Sequence, residues 1–129
     1  MEKEEIIRGC DTLSLAYIGD AVFELYVREY LLRTGAPAGV LHRRAKRFVS
    51  AAAQSGFVEA LEPLLTEQEA GVYRRGRNAK SHSHPKNVDL PQYHRATGLE
   101  ALFGFLHLAG DTVRERELFA VITEKEKDK

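Results

Sequence analysis

A chain of 129 residues with 43% hydrophobic side chains is long enough for one domain with a real core and too short for two. Its nineteen basic and nineteen acidic side chains cancel as a total but are segregated along the sequence, which leaves positive surface for a polyanion on a chain of zero net charge. The lone Cys10 excludes a disulfide framework and a cysteine-based zinc site. MEKEEIIRG lacks the basic start and apolar run of a signal peptide, and no segment reaches the roughly 20 apolar residues of a membrane span, so the expectation is a soluble, cytoplasmic protein.

In chain order the pattern predicts helices only. Asp11 or Thr12 caps a long helix to about Arg33, and Gly35 with Pro37 ends it. Pro37 suits the first turn of a second helix, whose apolar face is Val40, Leu41, Ala45, Phe48, Val49 and Ala52 and which Gly56 is expected to interrupt. Phe57 to Leu61 makes a short helical turn before Pro63. Thr66-Glu67-Gln68-Glu69 then has capping-box spacing for a helix ending near Gly76. Residues 77–91, with Gly76 before them and the run Ser81-His82-Ser83-His84 inside, lack apolar periodicity and form the one long loop, of a length that compact domains usually reserve for function. A helix from about Gln92 to Ala109 follows, Gly110 stops it, and Asp111 caps a last helix to about Glu126, with residues 125–129 fraying. No strand pattern and no internal repeat is present, so the expected architecture is a single all-α domain over 1–129.

Two carboxylates stand where these helices should bury hydrocarbon. Leu13, Ala16, Asp20, Phe23, Val27 and Tyr30 form one stripe at alternating steps of three and four, and Tyr93, Ala96, Glu100, Phe103 and His107 repeat the arrangement. An unpaired buried carboxylate costs on the order of several kcal/mol, so each needs a metal ion, an Arg or Lys, or a proton. Leu15, Ile18, Val22, Leu25 and Leu32 make a second apolar line on the first of these helices, which marks it as central or as a subunit interface. Gly19 beside Asp20, and Gly98 and Gly104 around Glu100, allow the two helices to cross closely enough to bring the acids together. Oxygen ligands without cysteine select hard ions such as magnesium or manganese.

The strings LAYIGDAVFE and TGLEALFG resemble the two acidic helices of ribonuclease III catalytic domains. RRGRNAKSHSHPKN followed by YHRATGLEAL is similar to the basic loop and last motif of the Mini-III branch, and the resemblance runs from about Asp11 to Asp111. It implies a ribonuclease III-like helical bundle, a homodimer, and magnesium-dependent hydrolysis of double-stranded RNA to 5′-phosphate ends, with manganese a substitute. It also implies Asp20 and Glu100 as catalytic metal ligands and maturation of 23S ribosomal RNA precursor as the role, while the sequence leaves open whether a ribosomal protein helps present the duplex. Full-length ribonuclease III has a further acid four residues before the aspartate and another three residues before the glutamate. This chain has Ala16 and Thr97 there, and Mini-III proteins resemble it in both losses, so water, RNA phosphates or other side chains must complete the metal shell.

With no double-stranded RNA-binding domain expected after the last helix, grip on the duplex falls to Arg75, Arg77, Asn78, Lys80 and Ser81 on the loop, with Arg43, Arg44 and Arg47 as a second set. Tyr17 and Phe23 fit ordinary core positions, and the resemblance makes the Tyr17 region, with Phe23, a dimer-contact candidate. Glu24 lies one turn beyond Asp20 but has Arg28 as its i,i+4 ion partner. His82 and His84 lack the further ligands of a zinc site, and His107 completes an apolar stripe as a core or site-edge residue. The competing reading is a non-catalytic helical RNA-binding or ribosome-assembly protein whose acids pair with Arg28 or Arg95. No His-Asp dipeptide supports a metal phosphohydrolase of the HD type.

Overall fold

The computed structural model describes residues 1–80 and 84–127, and these form seven α-helices and one 3₁₀ turn with no strand among them. The helices are α1 (Lys3–Gly9), α2 (Thr12–Leu32), α3 (Ala38–Val49), α4 (Ala51–Leu61), α5 (Glu67–Asn78), α6 (Leu90–Leu108) and α7 (Thr112–Lys127), with the 3₁₀ turn at Glu62–Leu64.

Local chemistry sets most of the boundaries. The Asp11 carboxylate accepts from Ser14 N at 3.2 Å to start α2, and Gly35, at φ 76°, turns the chain after it. Thr66 and Glu69 make a reciprocal capping box at α5, with bonds of 3.1 and 2.9 Å. Asp89 caps α6 through Gln92 N, and Asp111 caps α7 through Arg114 N. Gly110, at φ 71°, separates these last two helices.

The predicted second helix breaks at a different residue. Gly56 lies inside α4, and the break falls at Ser50, whose extended backbone ends α3 and whose hydroxyl accepts from Ala53 N at 3.2 Å to cap α4. A glycine costs a helix about 1 kcal/mol but removes no hydrogen bond, whereas a serine at the cap supplies one. The loop is also shorter than expected: Arg77 and Asn78 finish α5, and Leu90 and Pro91 begin α6. At the far end α7 remains helical through Lys127, beyond the point where fraying was expected.

α6 is the axis of the bundle. Ala101, Leu102, Phe103, Phe105 and Leu106 are fully buried, and α1, α2, α4, α5 and α7 all pack on this helix. Aromatic rings fill the space between α2, α3, α4, α6 and α7, with Phe23 edge-on to Phe103 and Phe119, and Phe48 stacked on Phe119. Two glycine crossings bring backbones into contact at this axis. A Cβ at Gly19 of α2 would overlap the carbonyl oxygen of Glu100, and one at Gly104 of α6 would overlap that of Leu15. A Cβ at Gly76 of α5 would stand 2.9 Å from the Cα of Gly98.

α1 was not legible as a helix. Its seven residues carry only Ile6 and Ile7 as apolar side chains, too few for a period. Tertiary contacts define it instead: Ile6 is buried, the α-amino group donates to Leu108 O at 3.0 Å, and Lys3 pairs with Asp111 at 2.9 Å.

Candidate active site

The Gly19–Gly104 crossing builds the site. Asp20 follows Gly19, and Glu100 contributes the very carbonyl that Gly19 lies against, so close packing of α2 on α6 sets the two carboxylates side by side. Burial, then the negative charge of Asp20, then a hydrogen bond with Asp20 push the Glu100 carboxyl up to about 8, against the opposing hydrogen bond from Gln54. Near neutral pH the Glu100 carboxyl therefore keeps its proton and donates it in a hydrogen bond to Asp20.

The two acids are not equally buried, which corrects the expectation that both occupy core positions. Asp20 is exposed, because the buried arc of α2 runs through Leu15, Gly19, Val22, Phe23 and Val27 and leaves Asp20 at its solvent edge. Glu100 is only partly exposed, with buried Leu99 and Ala101 on either side. One acid carries the desolvation cost, and the other opens the pair to solvent.

Neither of the arginines that could neutralise the pair does so. Arg28 bonds Glu24 at 2.9 Å, the i,i+4 ion pair expected from spacing, and Arg95 donates to Ser55 Oγ at 2.9 Å. No cluster of three or more His, Cys, Asp or Glu occurs among the described residues, and the carboxylates that meet at the crossing are Asp20 and Glu100. Two adjacent oxygen ligands that hold a proton in place of a cation, and that repel each other when ionised, fit a small hard divalent ion.

The cationic residues fall into separate groups. Arg77, Asn78 and Lys80 line a groove with His84, Tyr93 and His94 near the start of α6, and the Arg77 guanidinium lies 5.7 Å from the Tyr73 ring centre. Tyr93 precedes Glu100 by seven residues, about 10 Å along the helix. Arg75 turns to another groove with Ile7, Gln68 and Arg74, which Asn78 also touches. Arg43, Arg44 and Arg47 are exposed on α3. Arg44 and Arg47 line a hollow with Tyr30 and Glu126, about 15 Å along α2 from Asp20. Ser81 and His82 lie outside the described residues. His84 contacts the Pro85 carbonyl at 3.2 Å.

Tyr17 is 80% exposed on the same side of α2 as Leu25 and Leu32, at 57% and 69%. Phe23 is only 1% exposed and has no surface to offer a second copy, so it is a core residue and not a dimer contact. His107 is exposed at the end of α6, with Nδ1 3.6 Å from buried Glu115. Sequence reasoning missed Glu115, which accepts from Tyr26 Oη at 2.5 Å and helps push that phenol, already raised by burial, up to about 12. It also missed Gln54, buried on α4 beside Glu100. The only sequence signal for Gln54 was its place in an apolar stripe with Phe57, Val58 and Leu61.

Comparison with known proteins matches the same segments. The Ribonuclease III domain model covers residues 13–111. Proteins named Mini-ribonuclease 3 are similar over most of the chain. The Symbiobacterium thermophilum protein is 51% identical over 107 residues, 82% of each chain. That of Enterococcus faecalis is 49% identical over 109 residues, 82% of this chain and 83% of the relative. The Brevibacillus brevis protein is 42% identical over 130 residues, 95% and 97%. A crystal structure of a Fusobacterium nucleatum protein superposes with a TM-score of 0.84 at 29% identity, covering 94% of this chain and 98% of the other. With the acid pair and its glycine crossing lying within the matched segment, the chain belongs to the ribonuclease III domain family, in its Mini-ribonuclease 3 branch.

Proposed function

We propose that Asp20 and Glu100 are the metal-holding carboxylates of this double-stranded-RNA endoribonuclease, with magnesium as the working ion and manganese able to replace it. The endoribonuclease class follows from family membership. The observation that carries the assignment to these residues is the backbone crossing that forces two carboxylates together with no arginine between them.

Asp20 and Glu100 would hold a divalent ion, whose Lewis acidity would lower the pKa of a water for attack and take up charge on the leaving oxygen. The chain does the rest. Glu100 gives up its proton and, with Asp20, presents oxygen ligands on two backbones that cannot slide apart. Arg77, Asn78 and Lys80, in the groove at the start of α6, contact phosphates and 2′-hydroxyls of an A-form duplex, Ser81 outside the described residues is proposed as a further contact on its chemistry, and Arg75 and the α3 arginines extend the positive surface. The exposed apolar line of Tyr17, Leu25 and Leu32 on α2 supports a homodimer, which would place two sites on one duplex. Maturation of 23S ribosomal RNA precursor in the cytoplasm, aided by a ribosomal protein, is the role consistent with the branch.

The test uses a long RNA duplex with and without magnesium. Wild type should cleave only with the ion, and Asp20→Asn and Glu100→Gln should each lose activity by at least about a thousandfold while still binding duplex in calcium. Replacing Arg77 and Lys80 together by alanine should instead weaken binding. Duplex left intact by correctly folded wild type in magnesium would sink the proposal.

A further inference from the structure

Gln54 is the one group at the carboxylate pair that the metal-free fold does not explain. It stands on α4, 1% exposed, and its side chain hydrogen-bonds Glu100. Its other end is unpartnered: Oε1 is buried with no hydrogen-bond partner among the described residues. The neighbouring Ser55 hydroxyl accepts from Arg95 at 2.9 Å, and it makes no hydrogen bond to Gln54 Oε1.

A buried carbonyl left unpaired destabilises a fold, and native proteins retain few of them. Methionine has nearly the same volume, lacks the orphaned oxygen, and would suit the apolar face that Gln54 shares with Phe57, Val58 and Leu61. Packing therefore does not require an amide here. The two ends of the amide do match a loaded site. Its N–H group is a better donor to an ionised Glu100 than to a protonated one. Its carbonyl awaits a donor that the metal-free protein does not provide, and water held by a divalent ion is a strong one.

We propose that Gln54 is a positioning residue of the metal site: its Nε2 orients the ionised Glu100 carboxylate, and its Oε1 accepts a hydrogen from the hydration shell of the ion. The inference rests on the assignment of Asp20 and Glu100 as metal ligands. It gives the two-carboxylate set a neutral third member in a branch where Ala16 and Thr97 stand in place of acids. Groups one shell out from a metal typically change its affinity ten- to a hundredfold.

The experiment measures Mn²⁺ binding by the electron paramagnetic resonance signal of the free ion, in the absence of RNA, alongside the melting temperature of the metal-free protein. Gln54→Met should melt at or above the wild-type temperature and bind Mn²⁺ at least about tenfold more weakly. Gln54→Glu, which keeps an acceptor oxygen, should bind at least as tightly as wild type and gain more melting temperature from the ion. A merely structural glutamine would give the opposite split, with a lower melting temperature and unchanged affinity, and that result overturns the inference. If Gln54→Met binds like wild type while Asp20→Asn has lost the ion, the inference fails and the carboxylate assignment stands. Wild type that binds no Mn²⁺ overturns both.

Discussion

Glu100 holds a proton that its unfolded counterpart has already released. Its carboxyl sits at about 8 in the fold and near 4.5 in an open chain, so between those values the folded state binds more protons and each rise in pH favours unfolding. The stabilisation from this group is fully present below about pH 4.5, is lost as pH climbs to about 8, and is flat beyond. Urea titrations of metal-free protein should show a loss of up to about 5 kcal/mol across that window, and Glu100→Gln should flatten it. A slope that survives the substitution would place the titration elsewhere. Ion binding has the opposite dependence, because it must displace the proton, so affinity should rise with pH over the same range. The two acids were legible in the sequence because each interrupts an apolar stripe. Their unequal burial was not, since a stripe gives the face of a helix but not how far the neighbouring helix covers it. Gln54 was invisible for the same reason: a glutamine in AAAQSGF declares no partner until α4 is placed against α6.

At the level of elements, glycines with different surroundings make different demands. Gly19 admits no side chain because the Glu100 backbone occupies the space, so Gly19→Ala should destabilise by about 3 kcal/mol or more and abolish cleavage with it. Gly56 is helical with nothing within 4 Å of where a Cβ would stand, and Gly56→Ala should stabilise by about 0.5–1 kcal/mol. Thermal unfolding of the two variants decides the point, and equal effects would refute the crossing as the origin of the constraint. From sequence alone the two glycines look alike, each between one apolar and one polar residue in a helical run. That similarity explains why the break between α3 and α4 was expected at Gly56 and occurs at Ser50. Helix starts were easier to read, since Asp11, Thr66 and Asp111 cap with their own side chains, three residues from their partners. α1 needed partners a hundred residues away, Leu108 and Asp111, and no local pattern encodes those.

For the whole molecule, zero net charge conceals an uneven surface. Cations gather on α3 and around the end of α5, while Glu69 is tied up internally by Arg114 at 2.9 Å. The other uneven feature is apolar. Tyr17, Leu25 and Leu32 are large side chains in water along one helix, and a second copy with the same line would cover them in an isologous contact. Tyr17→Asp should shift sedimentation from dimer to monomer at micromolar concentration while circular dichroism stays helical. A wild type that sediments as a monomer would remove the dimer from the proposal.

The contact between Gly19 and Gly104 also ties catalysis to cooperativity. The residues that meet there are more than eighty positions apart, so the carboxylate pair is made by long-range contacts and exists in no isolated helix or hairpin of the chain. Any sub-global opening that parts α2 from α6 dismantles the carboxylate pair at the same moment. With Asp20 and Glu100 as the proposed metal ligands, a nascent or partially unfolded molecule should not cut RNA until the α2–α6 backbone contact has closed.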